Sequence, residues 1–290
     1  MSRVTKAVIP AAGLGTRVLP ATKSIPKEML PIVDKPAIHY IVEECVRSGI
    51  TDILIITSRG KSALEDYFDR APELETRLLA GGKEDLYREI VDLTQMANIQ
   101  YLRQKETKGL GHAVLQARSF AAGDPVAVLY GDDVIISPPG QEATLELARA
   151  YDAYGLGVVG IKEVTPQQIL GYSSLAVTPL EDRVFRVTDM IEKPSPDKVL
   201  SLYSILGRCV LPYEIFDILE QTPPGAGGEI QLTDAMKTLT LRQGMTGVDY
   251  TGKRYDMGNK LGVLEAIVEV GLVHPQLGED FRAYLKGLAL

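Results

Sequence analysis

The stretch that decides the fold is Ala7-Val-Ile-Pro-Ala-Ala-Gly-Leu-Gly-Thr-Arg-Val-Leu-Pro-Ala-Thr-Lys-Ser-Ile-Pro-Lys-Glu-Met-Leu-Pro-Ile-Val-Asp-Lys-Pro36. Its opening apolar run, Ala7 to Pro10, has the length and continuity of a buried β-strand. The chain then breaks into a loop carrying Gly13, Gly15, Arg17, Lys23 and Lys27. Glycine lets backbone N–H groups approach a ligand closely, and a run of such groups forms an anion-binding concavity. Arginine adds a planar fork that matches phosphate, and lysine adds a compact mobile charge. A strand that delivers all of these to its C-terminal end is a candidate phosphate cradle.

Two familiar cradles do not fit the spacing. The dinucleotide fingerprint needs a third small residue where Val18 stands, and it should run straight into a helix. Pro20 and Pro26 interrupt any helix there. The Walker-type loop ends in Gly-Lys-Ser/Thr, whereas Gly15 is followed by Thr16 and Arg17.

Outward from this loop, strands and helices alternate. Ile38, Ile41, Val42, Cys45 and Val46 recur at helical spacing, with Gly49 as a C-terminal stop. His39 on that helix reads as structural. Ile53–Ile56 is a strand, and Ser62-Ala-Leu-Glu65 has the capping-box spacing that opens a helix. Residues 70–98 read as helical with a break at Gly81-Gly82, and Ile99–Leu102 returns to strand. The loop Gln104-Lys-Glu-Thr-Lys-Gly109-Leu-Gly-His112 follows, with a helix beginning near Gly111; His112 reads as shaping that helix start. The next buried strand, Pro125–Tyr130, ends in Gly131-Asp132-Asp133. Carboxylates at a strand end suit a hard cation such as Mg²⁺, which takes one or two of them and completes its shell with water and phosphate oxygens.

Alternation up to about residue 135 implies a parallel sheet covered on both faces. Beyond it the strands cluster, at Gly157–Val164, Ser174–Val177, Val184–Ile191 and Ser204–Leu211, which suggests a mixed-strand extension. Glu192-Lys193-Pro194 closes the third of these. An amphipathic helix follows Thr222–Ala235, and a strand near Val248 precedes Lys253-Arg-Tyr-Asp256. Residues 261–290 read as helices ending in Leu-Ala-Leu, with apolar faces that could meet the core or another subunit.

Composition narrows the partners. A net charge of −7 gives no global field for nucleic acid, so a phosphate ligand must be held by local cations. Cys45 and Cys209 sit in apolar runs and read as core residues, not as ligands or a disulfide. No apolar stretch approaches the ~18–20 residues that span a bilayer. Met1-Ser-Arg-Val-Thr-Lys6 leads directly toward a strand, with no signal-peptide core. A cytoplasmic enzyme is the expectation.

Gly-x-Gly-Thr-Arg, followed at Lys27 by Pro-Lys-Glu-Met-Leu-Pro, resembles the signature of the sugar-1-phosphate nucleotidylyltransferases, in particular their uridylyltransferases. The resemblance runs from Ala7 to Phe281, and Glu229-Ile-Gln-Leu-Thr-Asp234 belongs to it. It implies a Rossmann-like α/β fold: a mostly parallel central sheet flanked by helices, a mixed-strand sugar-binding extension, and C-terminal helices. One domain is expected over 1–290, with a nucleotide half to about 135, a sugar-phosphate half over about 136–260, and helices over 261–290. The implied reaction is transfer of the uridylyl group of UTP to glucose 1-phosphate, giving UDP-glucose and pyrophosphate.

By the same resemblance, Ala11, Ala12, Gly13, Leu14, Gly15, Thr16, Glu28, Gln104 and Gly109 meet the nucleotide. Gln104 and Gly109 face the base. Gly131, Tyr172, Ser173, Glu192 and Lys193 meet the sugar phosphate, with Ser173 where relatives usually carry glycine. Arg17, Lys27, Asp132 and Lys193 are the implied catalytic set, and Asp132 with Asp256 the implied Mg²⁺ ligands. The implied partners are the two substrates and further copies of the chain, as a dimer or tetramer, with neither nucleic acid nor membrane. Thymidylyl transfer from dTTP to the same sugar phosphate is the nearest rival. A non-catalytic sugar-nucleotide sensor is disfavoured because Arg17, Lys27, Asp132 and Lys193 are all intact. A dinucleotide-dependent oxidoreductase is disfavoured by Val18 and Pro20.

Overall fold

Strand β1 (Lys6–Pro10) forms where it does because its alternate residues serve two cores at once. Ala7 and Ile9 pack on one side and Val8 on the other, and all three are fully inaccessible to solvent. Burying a side chain the size of Val or Ile stabilises by about 1.5–3 kcal/mol, which outweighs the modest β-propensity of this run. The computed structural model describes residues 4–288. Residues 1–3 of the leading segment and the final Ala289-Leu290 lie outside the described residues.

The cradle loop after β1 holds three short 3₁₀ turns, at Thr16–Val18, Ala21–Lys23 and Lys27–Met29, in place of a long helix. The hairpin β2 (Pro31–Ile32) and β3 (Lys35–Pro36) leads into α1 (Ala37–Arg47) and β4 (Asp52–Thr57). Next come α2 (Ala63–Phe68), α3 (Pro72–Ala80), α4 (Glu84–Gln95) and β5 (Asn98–Arg103). The expected capping box at Ser62 is absent. Ser62 is already helical (φ −57°, ψ −28°) and makes no side-chain cap, while its carbonyl accepts from Glu65 N at 2.8 Å. The turn starts one residue early, at Lys61, whose carbonyl accepts from Leu64 N.

The chain continues through α5 (Leu110–Leu115), α6 (Arg118–Ala121), β6 (Val126–Leu129), β7 (Asp133–Ile136), α7 (Ala143–Tyr154) and β8 (Gly157–Glu163). It then forms β9 (Ser173–Glu181), β10 (Val184–Glu192), β11 (Tyr203–Leu211), α8 (Ile215–Gln221) and α9 (Leu232–Gln243). It closes with β12 (Met245–Asp249), β13 (Lys253–Asp256), α10 (Lys260–Val273) and α11 (Gly278–Lys286).

Nine strands make one sheet in the order β5-β4-β1-β6-β11-β8-β12-β10-β9. From β5 to β6 every pairing is parallel; β10 and β11 run against the other strands. The fold is thus mixed α/β with a mostly parallel core, and the later strands continue the same sheet. On one face lie Ile38 and Ile41 of α1, Leu147 of α7 and Ala266 of α10; on the other lie Ala113 of α5, Phe216 of α8 and Met236 of α9. Cys45 and Cys209 are buried free thiols, and burial pushes the Cys209 thiol up to about 12.

The feature that shapes the site is the departure of β7 from the sheet. It pairs instead with β13, antiparallel, with Asp133 opposite Asp256. This brings two distant acidic segments together at the end of β6. Behind them, the fully buried Arg208 of β11 donates to the Glu44 carboxylate of α1, at 2.6 Å from its Nη2, and to the carbonyl of Asp133 at 2.9 Å. Removing one partner of such a buried pair typically costs 3–5 kcal/mol, so the turn at 132–133 is anchored from beneath.

Candidate active site

The cradle is held open by its own backbone. Gly15 adopts φ +66°, and a Cβ there would lie 3.1 Å from the methyl of Thr22, whose hydroxyl donates to the Gly15 carbonyl at 2.7 Å. A larger residue would strain the backbone and displace this contact. Beside it opens a cleft of about 380 Å³ lined by Pro10, Ala12, Gly13, Leu14, Thr16, Lys27, Gln104, Thr107, Gly109, Tyr130, Asp132 and Glu229, among others. The cleft lies at the C-terminal edge of the parallel strands, where open α/β sheets take ligands.

Lys27 and Asp132 face each other inside it, Nζ to Oδ2 2.5 Å. Burial alone would depress the Lys27 ammonium, but the carboxylates of Asp132 and Glu28 outweigh it and raise its pKa above the ordinary lysine value. Burial pushes Asp132 the other way, and Lys27, with Arg17 and Arg254 adding, holds its carboxyl below the usual range. Both groups are therefore ionised at neutral pH. Arg17, largely exposed, spans two carboxylates, 3.9 Å from Asp132 Oδ2 and 3.8 Å from Asp256 Oδ2.

Gly258 shows how closely this cluster converges. A Cβ there would fall 2.7 Å from Asp132 Oδ2, 2.9 Å from Asp256 Oδ1 and 2.6 Å from Arg17 Nη2. The space between the two carboxylates is kept free only because residue 258 has no side chain. Two hard oxygen donors around such a gap fit a divalent cation of the Mg²⁺ kind. Among the described residues no group of three or more His, Cys, Asp or Glu side chains could hold a metal by protein ligands alone. A cation there would need water and phosphate oxygens to complete its shell.

On the wall of the cleft formed by the loop before α5, Gln104 is buried and its amide donates to the Gly109 carbonyl at 3.3 Å, with His112 Nδ1 2.8 Å away. His112 thus braces Gln104 at the start of α5. Gly109 has φ +104°, and a Cβ on it would lie 2.7 Å from that of Glu229. Gly131 is equally confined, since a Cβ there would sit 2.8 Å from the Pro10 carbonyl.

On the far side, Glu192 accepts from Thr233 Oγ1 at 2.7 Å; burial raises its pKa, opposed by that hydrogen bond. Lys193 is exposed and held at φ +44°, a left-handed conformation that costs a non-glycine residue about 1–2 kcal/mol. Its backbone N–H donates to the Tyr172 carbonyl at 2.8 Å.

Two expected contacts take other directions. The Glu28 carboxylate is wholly buried against Lys61, 2.8 and 3.0 Å from its Nζ, and does not line the cleft. Burial pushes the Glu28 carboxyl up, and Lys61 opposes it. The Ser173 hydroxyl is turned into the sheet, 3.3 Å from Ser204 Oγ and accepting from Ile205 N at 3.1 Å, so only its backbone is left to face a sugar. Ala11 contributes through its carbonyl, which accepts from Lys61 at 2.5 Å. His39 is structural, as expected, with Nδ1 2.9 Å from the Tyr67 hydroxyl.

Lys61 and Arg254 were not singled out by sequence. Lys61 carries no motif. Arg254 had a usable signal, because it stands two residues before Asp256 on a strand and so shares its face.

The nucleotidyl transferase family model matches residues 6–271. A UTP–glucose-1-phosphate uridylyltransferase of Bacillus subtilis, YngB, is 49% identical over 98% of this chain and 95% of its own. The UTP-bound UGPase of Acinetobacter baumannii superposes with a TM-score of 0.91 at 39% identity, over 98% of this chain and 99% of that one. A UDP-glucose pyrophosphorylase complexed with UDP-glucose superposes at 0.83 with 38% identity, over 98% of this chain and all of that one.

Proposed function

This chain belongs to the nucleotidyl transferase family, and we propose that its cleft transfers the uridylyl group of UTP to glucose 1-phosphate, releasing pyrophosphate and forming UDP-glucose. The observation that carries this reading is the Lys27–Asp132 contact of 2.5 Å inside a glycine-walled cleft, with Arg17 reaching across to Asp256. Such an array meets two polyanions with matched cations and carboxylates, which is what phosphoryl chemistry requires of a protein.

A phosphate oxygen of glucose 1-phosphate attacks the α-phosphorus of UTP in line, and pyrophosphate leaves. That oxygen is already ionised at neutral pH, so no general base is needed. The backbone N–H groups of Gly13–Gly15 and the Arg17 guanidinium hold the β- and γ-phosphates. Lys27 turns from Asp132 to the α-phosphoryl group and neutralises charge as it develops. Lys193 orients the nucleophilic phosphate, and Glu192 meets the sugar hydroxyls beside Tyr172 and the backbones of Gly131 and Ser173. Asp132 and Asp256 would hold Mg²⁺, which when bound would supply neutralisation of the charge that develops on the phosphates.

Gln104 spends its amide N–H on Gly109 and His112, which leaves its carbonyl to accept from the ring N–H of uracil. Glu28 supports the cradle through Lys61 and the Ala11 carbonyl without touching the nucleotide. The enzyme is cytoplasmic; among the described residues no single helix is long and apolar enough to cross a membrane. It works as a homo-oligomer, a dimer or tetramer, a reading supported by the exposed Leu261, Leu264 and Val273 of α10.

The test is pyrophosphate release over a matrix of UTP, dTTP, ATP and GTP against several sugar 1-phosphates. UTP with glucose 1-phosphate should turn over fastest. Each buried polar group left unpaired by a purine costs roughly 1–3 kcal/mol, so ATP and GTP should fall about 10²-fold or more below UTP. Equal rates for purine nucleotides would overturn the assignment.

A further inference from the structure

Three aspartates crowd the end of β6, yet the proposed function uses only two. Asp133 is adjacent in sequence to Asp132 and opposite Asp256 in the β7–β13 ladder. As a bare carboxylate it would compete for any cation held there. Arg254 is placed to prevent this, with Nε 2.7 Å and Nη2 2.6 Å from Asp133 Oδ1. The other carboxylate oxygen is covered by backbone, because a Cβ on Gly207 would lie 2.7 Å from Asp133 Oδ2.

The same guanidinium stands 3.8 Å from Asp256 Oδ2 and stacks on the Tyr172 ring, 5.3 Å from its centroid. The Tyr172 hydroxyl lies 3.4 Å from Arg254 Nη1 and donates to Asp256 Oδ2 at 3.5 Å. The Tyr172 carbonyl, in turn, accepts the backbone N–H of the left-handed Lys193. One side chain therefore touches the carboxylate to be excluded, a carboxylate to be kept, and the residue that holds the sugar-phosphate lysine.

We propose that Arg254 is a positioning residue that sequesters Asp133, leaving Asp132 and Asp256 to hold the divalent cation, and that ties this pair to Lys193 through Tyr172. The inference rests on the reading that Asp132 and Asp256 are the cation's ligands. It predicts opposite signs for two substitutions, whereas a salt bridge that only supported the fold would weaken cation binding in both. Arg254→Met removes a positive charge beside Asp256 and frees Asp133, so the cation binds more tightly but in the wrong place. Asp133→Asn releases the guanidinium onto Asp256, so the cation binds more weakly.

The experiment titrates ligand-free enzyme with Mn²⁺ alone and reads the free ion by electron paramagnetic resonance. Losing or gaining one unit charge at this range should shift affinity about tenfold in a partly screened site, tighter in Arg254→Met and weaker in Asp133→Asn. The double variant and Arg254→Lys should both stay within about threefold of the parent. Turnover of Arg254→Met should fall despite its tighter Mn²⁺, with KM for glucose 1-phosphate raised more than KM for UTP. If Arg254→Met does not fold, the weakening in Asp133→Asn carries the test.

Unchanged or weaker Mn²⁺ binding in folded Arg254→Met, or tighter binding in Asp133→Asn, overturns the inference. Asp132→Asn separates the two levels. Mn²⁺ binding that survives Asp132→Asn refutes the ligand assignment, and the inference with it. Binding lost in Asp132→Asn alongside the wrong signs refutes the role of Arg254 alone.

Discussion

Replacing Lys27 by methionine removes the ammonium group that contacts Asp132 in the cleft while keeping most of the side-chain volume. The contact is short, 2.5 Å, and its lysine is largely shielded from solvent. Loss of a single donor aimed at developing charge costs about 2.7–4 kcal/mol in a water-excluded site, so kcat should fall about 10²–10³-fold. If the Gly13–Gly15 backbone and Arg17 carry ground-state binding of UTP, as proposed, its KM should stay within about threefold. Arg17, 3.9 Å from Asp132, limits the penalty of leaving that carboxylate without its lysine, and the fold should persist. Because the folded pKa of Lys27 is raised, its ammonium is fully present below the unfolded lysine value of 10.5 and is lost only as pH rises through the folded pKa. The kcat profile should thus show no basic limb from this residue between pH 7 and 10. Steady-state pyrophosphate release, run beside thermal melting, measures all of this. A folded Lys27→Met enzyme within tenfold of the parent kcat, or one whose whole defect lies in KM for UTP, would refute the role given to this lysine.

Asp132→Asn should fold but lose turnover by about 10² or more, and EDTA should abolish parent activity until Mg²⁺ is restored; full turnover in EDTA would remove the metal from the mechanism. Lys193→Ala should raise KM for glucose 1-phosphate far more than KM for UTP, and equal effects on both substrates would contradict its placement on the sugar phosphate. His39 has its pKa lowered to about 4, chiefly by burial, so the folded protein binds fewer protons than the unfolded chain between about pH 4 and 6.5. Stability should therefore fall as pH drops through that window, by on the order of 1–2 kcal/mol after allowance for partial solvent screening. Urea titrations of the parent and His39→Gln at pH 7 and pH 5 check this, and an identical pH dependence in both would exclude His39 as its source.

Much of the site was legible because strand ends are places that a linear pattern can mark. The apolar run of β1 ends at the cradle, and that of β6 ends at Gly131-Asp132, so both loops reach the same sheet edge. What sequence could not show is which way neighbours point. Lys27 and Glu28 are adjacent on a single 3₁₀ turn, yet one faces the cleft and the other is buried against Lys61, which lies far along the chain. Ser173 occupies a position the resemblance assigned to the sugar, but its hydroxyl completes the contact between β9 and β11. The pairing of β7 with β13 was equally hidden, because four residues after a turn carry no periodic signal of their own. That pairing is what brings Asp256 and Arg254 to Asp132 and Asp133.

The most direct measurement is the stereochemical course at the α-phosphorus, followed with UTP made chiral by sulfur at that position and with glucose 1-phosphate as acceptor. The cleft as described supplies cations, carboxylates and backbone N–H groups and assigns no side chain the role of nucleophile. A single in-line displacement should therefore yield UDP-glucose with inverted configuration. Retention would require a covalent uridylyl-enzyme intermediate and would contradict the direct attack derived from Lys27, Arg17, Asp132 and Lys193.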